Sequence, residues 1–247
     1  MRAKAFEVQG LPVLPLEIPA APKLLPITSP AEISWQGSVG ATLYDVERAE
    51  KPGGPWAAVG KDVDDTWVRY RPLYADTQAK PGSSYYYRVL AKNMIGVSQP
   101  SNVIGPVGST ERFLIDEMLN FSLMSSHEGK LSLETANARP YREDPHRVKG
   151  TAGDFIVYQT SELLKSVKVL ALMEGAEKEF EFYVSSDNKT FDRVTPKVTR
   201  YPNEGNLYGY KLPIKYELAD LSGKDNVVKI VFTGDAQITG VELRYGR

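Results

Sequence analysis

The stretch "SYYYRVLAKN" (residues 84–93) alternates large apolar side chains with polar ones. Because successive side chains of a β-strand point to opposite faces, Tyr85, Tyr87, Val89 and Ala91 would share one face. The other face would carry Tyr86, Arg88, Leu90 and Lys92. We interpret the three consecutive tyrosines as part of a half-buried strand rather than as a ligand surface. Tyr85, close after the "PG" turn, fits a tyrosine corner, in which the hydroxyl bonds nearby backbone.

Similar short alternating stretches surround this strand. They recur about every ten residues and are separated by turn sequences such as "KPGG" (51–54). The stretches are "ISWQG" (33–37), "TLYDVERA" (42–49), "PWAAVG" (55–60), "WVRYRPL" (67–73) and "QPSNVIGPV" (99–107). Six or seven strands in about 80 residues are typical of an antiparallel β-sandwich.

Four features of this region match a known family. They are Trp35 on an early strand, "YDVERA" (44–49), "GGPW" (53–56) and "PGSSYYYRVLAKNMIGVSQPSN" (81–102). Residues 22–108 therefore resemble a fibronectin type III domain. The resemblance implies an immunoglobulin-like sandwich without catalysis, of the kind that serves as a spacer in bacterial polysaccharide hydrolases. Trp35 is assigned to the core, whereas Trp56 and Trp67 are left open between exposed and packed positions.

A second domain is predicted for residues 109–247, which also contain short strands and almost no helical pattern. Eight or nine strands in this length favour a jelly-roll sandwich. Two segments, "EFEFYVSSDNKTFDRV" (179–194) and "NVVKIVFTGDAQITGVELRYG" (226–246), resemble galactose-binding-like modules, including discoidin-type ones. The predicted fold class is thus all-β, a fibronectin III-like sandwich followed by a galactose-binding-like β jelly roll.

The resemblance to such modules also implies a metal, because they often hold a structural calcium ion. Calcium takes oxygen ligands, and the carboxylates near the two ends of the second domain are candidates. These candidate ligands are Asp116, Glu117 and Glu242. No other cofactor is expected.

Residues 1–21 are predicted to be a proline-rich linker from an upstream domain, since residues 10–30 contain six prolines and proline stiffens an extended chain. Linker, fibronectin III-like domain and jelly roll, in this order, resemble the C-terminal region of modular glycoside hydrolases, including family 5 mannanases and endoglucanases. This implies a bacterial protein that is secreted or at the cell surface, with an upstream catalytic domain and a polysaccharide or oligosaccharide as partners.

Composition excludes several classes of function. The chain has no cysteine, which rules out thiol catalysis, disulfides and cysteine-bound zinc. It has two histidines. A net charge of -1 argues against nucleic acid or anionic membrane as a partner, since both need a concentrated basic face. No apolar stretch approaches the roughly 18 residues of a membrane helix. We expect a monomer without enzymatic activity of its own.

Two turn-rich segments, residues 137–150 and 200–211, combine aromatic rings with side chains that bond hydroxyl groups. Sugars need this mixture, because their C–H faces lie on flat rings and their rims bond polar groups. The candidate binding residues are Arg139, Tyr141, Glu143, His146, Asn206, Tyr208 and Tyr210. Two alternatives remain open: the charged run "REDPHR" (142–147) could be an internal ion-pair loop, and Tyr208 and Tyr210 could pack in the core.

The main hypothesis is a non-catalytic accessory region that binds plant-type polysaccharide, either β-mannan or β-glucan, through the jelly-roll loops, with the fibronectin III-like domain as spacer. The alternative is a purely structural module that stabilises or orients the catalytic domain without binding sugar. A third is a fragment of a cell-surface adhesin. The short joint "GPVGST" (105–110) predicts that the two domains are held in a fairly fixed arrangement.

Overall fold

The computed structural model shows a chain built from antiparallel β-strands. It describes residues 17–68, 70–173, 180–202, 209–219, 221 and 223–246. These residues contain eighteen strands and one short 3-10 turn, Arg139–Tyr141, and no α-helix. The predicted all-β fold class is therefore confirmed. No helix within the described ranges is long and apolar enough to span a bilayer.

The first six strands form the N-terminal sandwich. They are β1 (Lys23–Leu24), β2 (Trp35–Gln36), β3 (Leu43–Ala49), β4 (Ala57–Val63), β5 (Ser84–Lys92) and β6 (Ile104–Gly108). One sheet has the order β4-β3-β5-β6, and β1 pairs with β2 in a two-stranded sheet.

Strand β5 alternates as the sequence predicts. Tyr85, Tyr87, Val89 and Ala91 are buried, whereas the residues between them are half-buried. The tyrosine corner is also present, because the backbone N–H of Lys80 donates to the Tyr85 hydroxyl at 3.4 Å. The tyrosine run is thus strand and core.

A buried carboxylate lies next to this core. Asp76 is fully buried, and its carboxylate accepts hydrogen bonds from Arg48 at 2.7 Å and from the Tyr87 hydroxyl at 3.0 Å. Burial and the neighbouring carboxylate raise the pKa of Tyr87 well above its usual range. The Tyr87 hydroxyl therefore stays protonated and donates to Asp76.

Twelve further strands form the C-terminal sandwich. They are β7 (Arg112–Asp116), β8 (Ser126–Glu128), β9 (Ser132–Glu134), β10 (Arg147–Gly150), β11 (Phe155–Gln159), β12 (Leu164–Met173), β13 (Phe180–Ser185), β14 (Asp192–Val194), β15 (Lys197–Arg200), β16 (Leu212–Leu218), β17 (Val227–Phe232) and β18 (Ala236–Tyr245).

These strands make two sheets that face each other. The five-stranded sheet has the order β14-β13-β17-β11-β8, and the seven-stranded sheet has the order β15-β16-β12-β18-β10-β9. The seventh strand, β7, lies on the same side of β18 as β10. Strand β10 pairs with the first half of β18, and β7 pairs with its second half. The inward faces of both sheets supply one apolar core, which includes Ile156, Phe182, Ile214 and Ile238. None of the residues of this core belongs to the core of the N-terminal sandwich.

Replacing Tyr87 by phenylalanine should destabilise the N-terminal sandwich more than replacing Tyr85 does. Tyr87→Phe removes a hydrogen bond to a buried carboxylate, which costs about 2 kcal/mol, whereas Tyr85→Phe removes only a longer neutral bond that contributes less than about 1 kcal/mol. All three tryptophans, Trp35, Trp56 and Trp67, precede β5. Tryptophan fluorescence during urea unfolding therefore reports on this sandwich, and equal losses for the two variants would contradict the assignment.

Candidate functional site

The loop between β9 and β10, which contains most of the predicted binding residues, is tightly folded. Its 3-10 turn is capped by Arg142, and both Arg142 (φ 59°) and Glu143 (φ 66°) adopt the left-handed conformation, which is uncommon for residues other than glycine. The N–H groups of Arg142 and Glu143 donate to the carbonyls of Arg139 and Ala138. The backbone of the loop is therefore held by its own hydrogen bonds.

Arg147 is the centre of this loop and is 1% exposed. Its guanidinium donates to Gln237 Oε1 at 2.7 Å, to the Ala136 carbonyl at 2.7 Å and to the Asp144 carbonyl. It also lies 4.3 Å from the centre of the Tyr141 ring. Arg147 thus bonds the backbone of Asp144, whereas an ion-pair loop over residues 142–147 would have joined their two side chains.

Tyr141, a predicted stacking residue, belongs to the same network. Gln237 donates from Nε2 to the Tyr141 hydroxyl at 2.7 Å, while Arg147 lies against the ring. The ring and hydroxyl of Tyr141 are therefore already engaged by the protein. A cleft of about 120 Å³ beside Tyr141 is also lined by Lys149 and Asp235; it is smaller than the roughly 300 Å³ at which small-molecule sites begin.

Asp144 and His146 lie on the inner side of the loop. The Asp144 carboxylate is buried and accepts the His146 N–H at 2.8 Å. Desolvation raises the pKa of Asp144 to about 6, against the opposing effects of that hydrogen bond and of Arg71 and Arg147. Desolvation also lowers the pKa of His146, whose ring meets the Trp67 ring edge-on with centroids 4.9 Å apart.

The described parts of the two predicted binding segments lie side by side. The Lys211 N–H donates to the Pro140 carbonyl at 2.8 Å, and the Arg142 guanidinium lies 5.2 Å from the Tyr210 ring centre. Arg139 and Glu143 are exposed at the surface. Asn206 and Tyr208 lie outside the residues that the structure describes.

The three predicted calcium ligands are not brought together. Asp116 pairs with Val241 across the sheet, so Glu242, the next residue, points to the opposite face. Asp116 accepts the Tyr158 hydroxyl at 2.9 Å, Glu117 pairs with Arg71 at 3.0 Å, and Glu242 pairs with Lys168 at 3.7 Å. Within the described ranges, no group of three His, Cys, Asp or Glu side chains could hold a metal ion. The predicted set is therefore wrong as one metal site.

The segment before β5 connects the two sandwiches. Arg71 reaches Glu117, and Trp67 contacts His146. The Tyr70 ring lies 4.5 Å from that of Tyr201. A second connection is made by ion pairs from Glu32 to Arg244 and, at 4.0 Å, to Lys168. Aromatic and charged contacts thus hold the sandwiches together at two places.

A groove of about 460 Å³ lies where the two sandwiches meet. Its apolar lining includes Trp67, Leu73, Tyr74, Ile115 and Leu119, and its charged lining consists of Lys61, Asp62, Asp64 and Glu117. Other clefts of the described chain measure about 70, 120 and 280 Å³. The groove is thus the largest of these, and its volume falls within the range of small-molecule sites, about 300 to 1,000 Å³.

Among these groove residues, the sequence assigns only Glu117 to a site, as a predicted calcium ligand. The local signal for the groove is a tryptophan, Trp67, close to the acidic run "DVDD" (62–65). The proximity of Trp67 and Glu117 depends on how the two sandwiches pack, which no local pattern encodes.

No family model matches the sequence. Among solved structures, the chain is similar to a family 115 4-O-methyl-α-glucuronidase with specificity for decorated arabinogalactans, at 13% identity and a TM-score of 0.33, covering 63% of this chain and 20% of that one. It is also similar to the exo-β-1,3-galactanase of Phanerochaete chrysosporium, at 14% identity and a TM-score of 0.29, covering 91% and 56%. A third likeness is to titin kinase and its flanking domains, at 15% identity and a TM-score of 0.25, covering 83% and 38%.

The chain therefore spans between 20% and 56% of the length of these structures. The resemblance to regions of glycoside hydrolases is distant.

Arg147→Met should lower the free energy of unfolding by about 3 kcal/mol, because it removes a buried guanidinium that bonds Gln237, Ala136 and Asp144 and leaves the carbonyl of the buried Asp144 without its donor. Arg139→Met is the matched control, since Arg139 lies in the same loop but is exposed. This control should change stability by less than about 0.5 kcal/mol. Chemical denaturation followed by circular dichroism measures both, and similar values would show that Arg147 is not the centre of the loop.

The raised pKa of Asp144 predicts a specific pH dependence. A carboxyl whose pKa is about 6 in the folded protein, against 3.8 as the ordinary value, keeps its proton up to a higher pH in the folded state than in the unfolded state. Its contribution to stability is present below about pH 4 and is lost as the pH rises through about 6. Between these values, the unfolding free energy of the natural protein should fall by up to about 3 kcal/mol relative to Asp144→Asn.

Comparison of the two proteins at each pH cancels the other titrating groups. The asparagine variant keeps an acceptor for the His146 N–H, so folding is preserved. A difference that stays constant across this pH range would show that the pKa of Asp144 is not raised.

Proposed function

We propose that this chain is a non-catalytic accessory region of a polysaccharide-degrading enzyme, and that it binds polysaccharide next to an upstream catalytic domain. Such binding raises the effective concentration of the catalytic domain at its substrate without chemistry of its own. We further propose a β-mannan or β-glucan as the polysaccharide, and a secreted or cell-surface location in a bacterium.

The observation that carries this proposal is the groove between the sandwiches. It combines the Trp67 ring with the carboxylates of Asp64 and Glu117 in a volume of about 460 Å³. Sugars stack their C–H faces on such rings and bond carboxylates through their hydroxyl groups. The resemblance of the two sandwiches to fibronectin type III and galactose-binding-like modules supports the same proposal.

Catalysis by this chain is not part of the proposal. Glycoside hydrolysis needs two carboxyl groups placed on either side of the scissile bond. The buried carboxyls of Asp116 and Asp144 are engaged by Tyr158 and by the His146 N–H. Glu117 is paired with Arg71. These three carboxyl groups therefore have structural partners.

A structural role is the second candidate, and one observation favours it. The loop predicted to bind sugar is folded around Arg147, and it packs against the other sandwich through His146 and Trp67. On this hypothesis the chain is a rigid spacer that orients the catalytic domain, and the groove is a consequence of packing.

Affinity electrophoresis in gels containing mannan, glucan or xylan distinguishes the two hypotheses. We expect the chain to be retarded by at least one of these polysaccharides, and most by mannan or mixed-linkage glucan, because a groove of this size accepts a few sugar units. Migration equal to that in a polysaccharide-free gel, in all three gels, would favour the structural role.

Bovine serum albumin serves as the non-binding reference protein in each gel. Incubation of the chain with the retarding polysaccharide should release no more reducing sugar than a heat-inactivated sample. Release above that level would contradict the non-catalytic part of the proposal.

A further inference from the structure

The groove has walls from two different parts of the fold. Trp67, Asp64 and Lys61 come from the N-terminal sandwich, whereas Ile115 and Glu117 come from β7 and the residue that follows it. Arg71 joins the two walls, because it extends from the first to bond Glu117 of the second at 3.0 Å. A ligand in the groove would therefore contact both sandwiches at once.

The polar groups of the two walls are held in place before any ligand arrives. Asp64 Oδ1 accepts from the Thr66 N–H at 2.9 Å and from the Thr66 hydroxyl at 2.6 Å. Glu117 Oε1 accepts from Arg71, whose side chain is only 10% exposed. Carboxylates fixed in this way lose little side-chain entropy when they accept hydrogen bonds from a ligand.

The ring of Trp67 is similarly fixed. One edge contact is made with His146, at 4.9 Å between centroids, and the Arg71 guanidinium lies 5.3 Å from the ring centre. The ring is still half-buried rather than enclosed, and it lines the groove. A rigid aromatic ring at the wall of a groove suits the apolar face of a sugar ring.

The charges of the lining decide the class of sugar. Three carboxylates, those of Asp62, Asp64 and Glu117, face the groove together with one lysine, Lys61. Asp62 is paired with Lys92 and Glu117 with Arg71, so the cations that compensate these carboxylates are provided by the protein. The lining of the groove thus offers more hydrogen-bond acceptors, which suit sugar hydroxyl groups, than cations, which an acidic sugar would require.

We propose that the groove binds an uncharged oligosaccharide, held between Trp67 of the N-terminal sandwich and Glu117 of the C-terminal one. The proposal rests on the proposed polysaccharide-binding function and names its site and its ligand class. Uronic acid polymers are disfavoured, because each sugar unit in the groove would bring a carboxylate next to those of Asp64 and Glu117.

Isothermal titration of the whole chain with mannohexaose, cellohexaose and hexagalacturonate tests the proposal. We expect a neutral hexasaccharide to bind at least about tenfold more tightly than hexagalacturonate. Trp67→Ala and Glu117→Gln should each weaken binding of that neutral sugar about tenfold or more, the effect of removing a central contact. Glutamine keeps an acceptor for Arg71 but not the charge, so the melting temperature of Glu117→Gln must also show that the contact between the sandwiches is kept.

Two matched controls lie outside the groove. Trp56 stacks with Arg88, 4.4 Å from its ring centre, and Glu181 pairs with Arg193; neither lines the groove. Trp56→Ala and Glu181→Gln should leave the affinity unchanged within about twofold. The melting temperature of each variant, measured in parallel, identifies any that fails to fold.

The outcomes separate the groove from the function. Absence of binding to every sugar would overturn the proposed function and this inference together. Binding by the natural chain that neither groove variant weakens would overturn the inference and leave the function standing. Loss of affinity in only one of the two variants would overturn the shared site, and tighter binding of hexagalacturonate would overturn the ligand class.

Discussion

The ion pair between Arg71 and Glu117 lies at the junction on which the shape of the groove depends. It joins two sandwiches with separate cores, and the Arg71 side chain is largely removed from water. Removal of Glu117 alone would lower the stability of this junction, because the desolvated charge of Arg71 would then be left without compensation. The contact of Trp67 with His146 lies at the same junction. The ion pairs of Glu32 with Arg244 and Lys168 fix the orientation of the sandwiches at a second place.

The all-β fold could be predicted because its signals are local. The alternation in β5 is visible in nine consecutive residues, and the buried face agrees with the prediction residue by residue. The tyrosine corner was equally predictable, since Tyr85 and Lys80 are only five residues apart. A strand with one buried face shows an alternation of apolar and polar residues in its own sequence.

The candidate site could be predicted only in part, because its contacts join distant residues. The sequence predicts that residues 137–150 and 200–211 are turn-rich segments with polar and aromatic side chains, but it cannot show what these side chains contact. Arg147 bonds Gln237 across 90 residues, and Tyr141 bonds the same side chain across 96. A turn rich in arginine, tyrosine and carboxylates looks the same in sequence whether it faces a ligand or closes on itself. The difference is burial, which only the packed structure determines.

The pairing of β7 with the end of β18 has a mechanical consequence. Arg112, where the chain enters the C-terminal sandwich, lies opposite Tyr245, where β18 ends. Tension along the chain would therefore pull on two adjacent strand ends and separate them one hydrogen bond after another, as in opening a zipper. Leu164 of β12 also pairs with Tyr245, so β12 would share the load. Because the ion pair from Glu32 to Arg244 ties β18 to the N-terminal sandwich near that point, part of the tension would bypass the first bonds of the zipper. A chain with this geometry would yield by gradual peeling from one edge, with the five-stranded sheet still intact.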